Sequence, residues 1–398
     1  MAAPARPAAA RPQLRKLYGQ LVASLVRPPR AEYALSDLDA AAIGAGAGVP
    51  PRVRRTDFEV VSGSGARLRC SKWATARARP SAVVIYCHAN SSSRVGVVRS
   101  AVLATVASID ATLVAFDFAG CGQSEGDYVT LGIHEQADVH AVIRSVVAAD
   151  AGARIVLWGR SMGAVAAALC CDAYGEPSVV GLVLDSPFYS MKRIVDGVSK
   201  QIAPRAPHCL VACLVCALRR SARDKCGVDV FRVDTAAAAA RADRPALIIG
   251  GQFDTLSPPA SHAVPLSEEW GRRPRVGVAA TRSLAELVLF DGDHNSVRPV
   301  WVYDTTRRFL RDALAAAPAA PAALPPPSGA PQPRPAPPER PLPAGWAAAR
   351  DAQSGDEYYF RAHETTWLRP RDDPPGKHQR RNAEPTDAFV PKGRPPAS

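Results

Sequence analysis

The sequence predicts an α/β protein: a mostly parallel sheet with helices on both faces and a small helical cap, followed by a small all-β module. Three observations carry this expectation. Six short apolar runs rich in β-branched residues recur along the first 300 or so positions, amphipathic helical patterns lie between them, and a proline-dense stretch then divides the chain.

With 398 residues the chain has room for one large or two small domains, at about 150 residues per domain. Apolar residues make up 47% and charged residues 22%, enough material for a sizeable core. No run approaches the roughly 18 consecutive apolar residues of a membrane-spanning helix. Lys and Arg number 49 against 37 Asp and Glu, a formal charge of +12. Such a balance invites an anionic partner. The basic residues are diffuse, however, with no dense Lys/Arg block or interleaved aromatics, so no nucleic-acid partner is expected. The nine cysteines are scattered, without paired C-x-x-C motifs, which fits a reduced, intracellular and cytoplasmic setting.

Taken in order, residues 1–18 read as a disordered basic arm. No acid precedes Glu32 while Arg6, Arg11, Arg15, Lys16, Arg27 and Arg30 accumulate, a pattern also compatible with organellar targeting. The body spans residues 19–316. Its predicted strands are 82–87, 112–116, 154–158, 180–184, 246–249 and 287–290, with helices over 134–147 and 164–173 among those between them. Residues 187–228 form an insert between two strands, a cap. Within it Cys209, Cys213 and Cys216 fall at i, i+4 and i+7 of an apolar helix. That helix either packs on the body or, with Arg219 and Arg220 beside it, faces a membrane surface. Twelve of the 37 prolines lie between Pro318 and Pro343, so residues 317–341 read as an extended spacer. A second module follows over 342–371, and 372–398 is polar and disordered in expectation.

In such sheets ligands bind beyond the carboxyl ends of the strands. After strand 154–158 come Gly159, Arg160, Ser161, Met162 and Gly163, then an Ala-rich helix: G-x-S-x-G in its strand–turn–helix context. A serine nucleophile needs a base, and the base an orienting acid. Strand 246–249 leads to Asp254 and strand 287–290 to His294, which gives the order Ser161, Asp254, His294. Asp185 also follows a strand and could orient the base instead. Strand 82–87 leads into His88, Ala89 and Asn90, whose backbone N–H can pair with that of Met162 as an oxyanion hole.

Residues 87–93 resemble the H-G-N-S oxyanion turn of α/β-hydrolases in the serine aminopeptidase-like group. FDFAGCGQSEG (116–126), GRSMG (159–163), LDSPF (184–188) and GDHNSVRP (292–299) resemble further parts of the same set. VRPPRAEY (26–33) resembles the opening segment of a plant and protist branch, so the likeness spans most of the body. It implies an α/β-hydrolase fold and hydrolysis of acyl esters or thioesters, as in depalmitoylating and lysophospholipase-like enzymes, on a lipid or an acylated protein. Ala89 replaces the usual glycine of the oxyanion turn and would be strained if that position needed positive φ. His134, Glu135 and His140 lack the H-E-x-x-H spacing, and Gly120-Cys121-Gly122 has the wrong spacing for a dinucleotide fingerprint. Neither a metal nor an organic cofactor is expected.

The segments LPAGW (342–346), GDEYYF (355–360) and TTWLRP (365–370) resemble a WW domain, a three-stranded sheet that binds proline-rich peptides. Tyr358, Phe360 and Trp367 are its candidate groove residues. Arg361 and a short second turn depart from the family pattern. The expected activity is therefore serine-dependent ester or thioester hydrolysis with a tethered peptide-binding module. An inactive hydrolase-fold scaffold acting through that module and a serine aminopeptidase are the alternatives, and peripheral contact with a membrane stays open.

Overall fold

The computed structural model describes residues 10–39, 53–202, 204–272 and 284–315, together with three short strands between 347 and 366. The chain divides into two compact units, Met1–Pro321 and Ala322–Ser398.

The larger unit begins with helix α1 (Ala10–Val26), then β1 (Arg54–Val61), β2 (Arg67–Ala74) and β3 (Arg79–Cys87). Helices α2 (Gly96–Arg99) and α3 (Val102–Ala107) cross to β4 (Ala111–Phe116), and α4 (Glu135–Ala149) leads to β5 (Arg154–Arg160). There follow α5 (Met162–Tyr174), β6 (Val179–Asp185), α6 (Met191–Ile202), α7 (His208–Cys226) and α8 (Thr235–Arg241). The unit closes with β7 (Ala246–Gly251), α9 (Ala263–Glu269), β8 (Ala285–Phe290) and α10 (Val300–Ala315). The eight strands lie in the order β1-β2-β4-β3-β5-β6-β7-β8, with the β1–β2 and β2–β4 pairs antiparallel and the rest parallel. All six apolar runs read from the sequence are strands of this sheet.

Parallel strands are buried on both faces, which is why β4 and β7 are buried at every position. One face, with Val83, Ile85, Leu157 and Leu184, packs against α4, α5 and α9. The other, with Val84, Tyr86, Trp158 and Val183, is covered by α2, α3 and α10. Helix α10 buries Val302, Thr306, Leu310, Ala313 and Leu314, a stripe at helical spacing. The strand order reverses between β3 and β5, so the carboxyl ends of these two strands form the switch point of the sheet.

The sequence reading missed two parts of this unit. The hairpin β1–β2 sits at the antiparallel edge with one face wet, so it alternates charged and apolar residues and lacks a continuous apolar run. The expected disordered arm 1–18 is corrected at its carboxyl end, because α1 begins at Ala10 and only residues 1–9 lie outside the described residues. Val22 and Val26 hold this helix against Ala222 and Val230, and the Tyr18 and Ser221 hydroxyls lie 2.7 Å apart. Beyond α1 the VRPPRAEY segment clamps the loop after β4. Arg30 donates to the Ser124 carbonyl at 2.7 Å, and the Tyr33 hydroxyl donates to buried Asp117 at 2.5 Å. Asp117 also accepts the backbone N–H groups of Arg94 and Gln123.

The linker 317–341, Trp367 and the tail 372–398 lie outside the described residues. The smaller unit holds an antiparallel sheet of β9 (Ala347–Arg350), β10 (Glu357–Arg361) and β11 (Glu364–Thr366), with β10 in the middle. Tyr358 pairs with Ala349, Phe360 with Ala347 and Thr365, and Arg361 with Glu364.

His262, 1% exposed at the start of α9, accepts the Tyr189 backbone N–H on Nδ1 at 3.0 Å. Burial, and then the nearby Arg193 guanidinium, push its pKa down to about 4. The folded protein thus holds this ring neutral where the unfolded chain takes up a proton. Its stabilising contribution is complete above pH 6.5 and is lost as the pH falls toward 4. Relative to His262→Asn, which keeps an acceptor, wild-type unfolding free energy should fall by about 1.4 kcal/mol per pH unit in that window. Urea titrations of both proteins at stepped pH measure the difference; a constant gap contradicts the prediction.

Candidate active site

The turn between β5 and α5 carries Ser161 at φ 50°, ψ −115°, a backbone conformation that costs a non-glycine residue about 1–3 kcal/mol. Its neighbours show how the conformation is held. The Ser161 N–H donates to the Asp185 carbonyl at 2.7 Å, and its own carbonyl accepts the N–H groups of Ala164 and Val165. Glycines flank it because backbone fills the space where side chains would stand. A Cβ on Gly159 would lie 2.5 Å from the Ala164 nitrogen, and one on Gly163 would lie 2.6 Å from the His88 carbonyl oxygen.

Ser161 Oγ lies 3.0 Å from His294 Nε2, and His294 Nδ1 lies 2.7 Å from Asp254 Oδ2. With Nδ1–H donating to the carboxylate, Nε2 is left to accept the serine proton. Asp254 is 3% exposed and receives three further hydrogen bonds from the turn that follows it. Leu256 and Ser257 donate backbone N–H groups to Oδ1, and the Ser257 hydroxyl donates to Oδ2. Burial raises the Asp254 pKa, but hydrogen bonds from His294 and Ser257 outweigh it and leave the carboxyl below its usual range. The Ser257 hydroxyl also approaches His294 Nδ1 at 3.2 Å.

Asp185, the alternative orienting acid of the sequence reading, is paired with Arg298 and not with His294. Asp185 accepts Arg298 in a two-pronged pair, at 2.7 Å from Nη2 and 3.0 Å from Nε, and Arg298 is itself buried. The same guanidinium donates to the carbonyls of His294 and Ser296, and Arg160 donates to the His294 carbonyl at 3.2 Å. Arg298 and Arg160 therefore position the loop that carries the imidazole. Neither role was read from the sequence, although both residues stand in the quoted motifs GRSMG and GDHNSVRP. Ser257 was missed too; its signal is an Asp followed three positions later by Ser, the pattern of a side chain capping its own turn. Asp293 folds onto its own loop, accepting the N–H groups of Asn295 and Ser296.

The oxyanion turn runs from the end of β3. His88 is fully buried; its Nε2 accepts the Phe118 N–H and its Nδ1 donates to the Ala89 carbonyl, so it braces the loop. Burial pushes its pKa down, keeping the ring neutral. The N–H groups of Asn90 and Met162 donate to no acceptor among the described residues. The expected strain at Ala89 is corrected: the residue with positive φ in this turn is Ser91, at 58°, and Ala89 is not in that region. Among the described residues no cluster of three His, Cys, Asp or Glu side chains could hold a metal, and Glu135 instead accepts the N–H groups of Thr130 and Gly132. Of the residues proposed for the peptide groove, Tyr358 and Phe360 lie on β10, and Trp367 is outside the described residues. A cavity of about 750 Å³ opens behind the His294 loop against Tyr86, Trp158 and Arg298, but neither Ser161 nor His294 lines it.

Arg298→Met should leave Asp185 buried and unpaired, lowering stability by about 3–5 kcal/mol. Adding Asp185→Asn should recover part of that loss. Urea unfolding of the three variants measures both effects, and a double variant no more stable than Arg298→Met refutes the pairing argument.

Residues 78–225 match the family described as Serine aminopeptidase, S33. The esterase Pf2001 of Pyrococcus furiosus is similar in structure in three crystal forms. Two align with a TM-score of 0.52 at 21% identity; the first covers 73% of this chain and 97% of that one, the second 72% and 98%. The third aligns at 0.50 and 19% identity, over 72% and 95%. No curated protein matches the chain. The parallel sheet, its strand order and these likenesses together give the chain the α/β-hydrolase fold, and the family match supports a serine hydrolase.

Proposed function

We propose that the chain hydrolyses carboxylic esters or thioesters of acyl substrates with Ser161 as nucleophile, His294 as base and Asp254 as orienting acid. The observation that carries this reading is the hydrogen-bonded run from Ser161 Oγ through both ring nitrogens of His294 to Asp254. Ser161 Oγ attacks the acyl carbonyl carbon while Nε2 takes the hydroxyl proton, and Asp254 stabilises the imidazolium without taking its proton. The N–H groups of Asn90 and Met162 receive the developing oxyanion, an arrangement in which each donor is worth about two to three orders of magnitude in turnover. Nε2 then protonates the leaving alcohol or thiol. Water, deprotonated at the same nitrogen, attacks the acyl-enzyme and releases the acid.

Ester or thioester cleavage is favoured over aminopeptidase activity. The nearby carboxylates Asp185 and Asp293 are committed to Arg298 and to the His294 loop, leaving neither to hold a substrate ammonium group. A fluorophosphonate probe should label the wild type and not Ser161→Ala, and turnover of a thioester should fall by about four orders of magnitude or more in that variant. A folded wild type that takes no label refutes the reading.

A second activity is supported by the antiparallel sheet β9–β11 together with the aromatic motifs of that segment. It is read as a WW module that takes proline-rich peptides against Tyr358, Phe360 and Trp367. Titrating the full chain with PPxY and PPLP peptides should give saturable binding that Trp367→Ala abolishes. No binding at millimolar peptide leaves the sheet without this role.

A further inference from the structure

Helix α7 uses only one of its faces in the fold. Leu218, Ala222 and Cys226 turn toward Val22, Val26 and Val230. On the outer side Leu210 is 63% and Leu214 45% exposed, and Cys209, Cys213 and Cys216 are all exposed. From Cys209 to Leu218 there is no charged residue. Thiols at such positions behave as small apolar groups. Ile202, at the end of α6, is also 77% exposed.

Around this apolar tip the charge is one-sided. Residues 200–226 contain six basic residues and one acid, Asp224. Arg219 and Arg223 are tied to Asp229, whereas Lys200, Arg205, Arg220 and Lys225 are exposed and pair with no carboxylate among the described residues. An apolar helical segment flanked by cations on both sides in the chain matches the layering of an anionic leaflet, hydrocarbon beneath negative headgroups. A second copy of the same surface fits poorly, since a two-fold contact would set one basic rim against another.

We propose that the α6–α7 cap docks on an anionic lipid bilayer, with Leu210, Leu214 and the three cysteines in the interface and Arg220 and Lys225 at headgroup level. The surface leads toward the catalytic turn. The Gln201 amide donates to the Thr255 carbonyl at 2.7 Å, next to Asp254, and Phe253 and Leu256 on that turn are 65% and 43% exposed. Docking would bring an acyl chain leaving the bilayer to the rim of the Ser161 site. That delivery rests on the proposed hydrolase reading; the docking itself does not.

Flotation of the full chain with vesicles tests it without turnover. The protein should float with vesicles of phosphatidylcholine plus phosphatidylserine, stay down with phosphatidylcholine alone, and detach in high salt. Leu210→Asp with Leu214→Asp should weaken binding about tenfold or more while hydrolysis of a soluble short-chain ester stays at the wild-type level. Arg220→Glu with Lys225→Glu should weaken it by a similar factor through charge alone, and serves if the first variant misfolds. Failure of the wild type to float with anionic vesicles overturns the proposal, as does flotation by both variants at the wild-type level. A wild-type dimer that the leucine variant converts to a monomer, without vesicle binding, assigns the face to self-association and equally overturns it. A wild type that floats and cleaves no ester counts against the hydrolase reading alone.

Discussion

The close packing of Gly163 on the carbonyls of Cys87 and His88 ties the start of α5 to the end of β3, and most of the site follows from that contact. Because backbone meets backbone there, the turn after β5 cannot relax outward, and Ser161 is left at positive φ with its hydroxyl beyond the strand ends. The same contact sets the Met162 N–H beside the turn that bears Asn90. Ser161 and the N–H groups of Asn90 and Met162 are thus parts of one junction at the switch point of the sheet. The cost of the strained serine is small beside the burial of β3, β5 and the Ala-rich face of α5 around it.

Electrostatics does for His294 what packing does for Ser161. Three cationic or polar anchors converge on the loop after β8: Arg298 and Arg160 hold the His294 carbonyl, and Asp254 holds its ring. Arg298 is fixed in turn by Asp185, whose backbone carbonyl receives the Ser161 N–H. One residue at the end of β6 therefore touches both halves of the site, through its carbonyl on one side and its carboxylate on the other. A loop would otherwise be a poor place for a base that must stay within hydrogen-bond reach of a hydroxyl.

How far this was legible in the sequence depended on whether a residue's role is local. The six parallel strands were readable as apolar runs, which burial on both faces demands of all but the edge strand β8, and G-x-S-x-G was readable because its glycines answer to a local turn. The order of Ser161, Asp254 and His294 followed from the strands they terminate. Asp185 could not be separated from Asp254 without knowing that Arg298 comes back to meet it, a long-range pairing with no local mark. The expected strain at Ala89 had no local mark either way: the positive φ of the turn falls on Ser91, two residues further on. Helix α1 escaped notice because its stability comes from Ala222 and Val230, far along the chain, and not from its own polar, proline-flanked sequence.

The tether between Asp185 and Arg298 bears on how this protein is made. Synthesis delivers Ser161 and the oxyanion turn early, while His294 and its anchor emerge only after α6, α7 and α8. A chain still leaving the ribosome holds a hydroxyl with no proton acceptor, chemically as inert as any surface serine. On the proposed reading, hydrolysis requires β8 beside β7 and the Arg298 guanidinium on the Asp185 carboxylate. If Ser161 and His294 act as proposed, a nascent or half-folded body is silent toward acyl groups, and activity becomes a readout of completed folding.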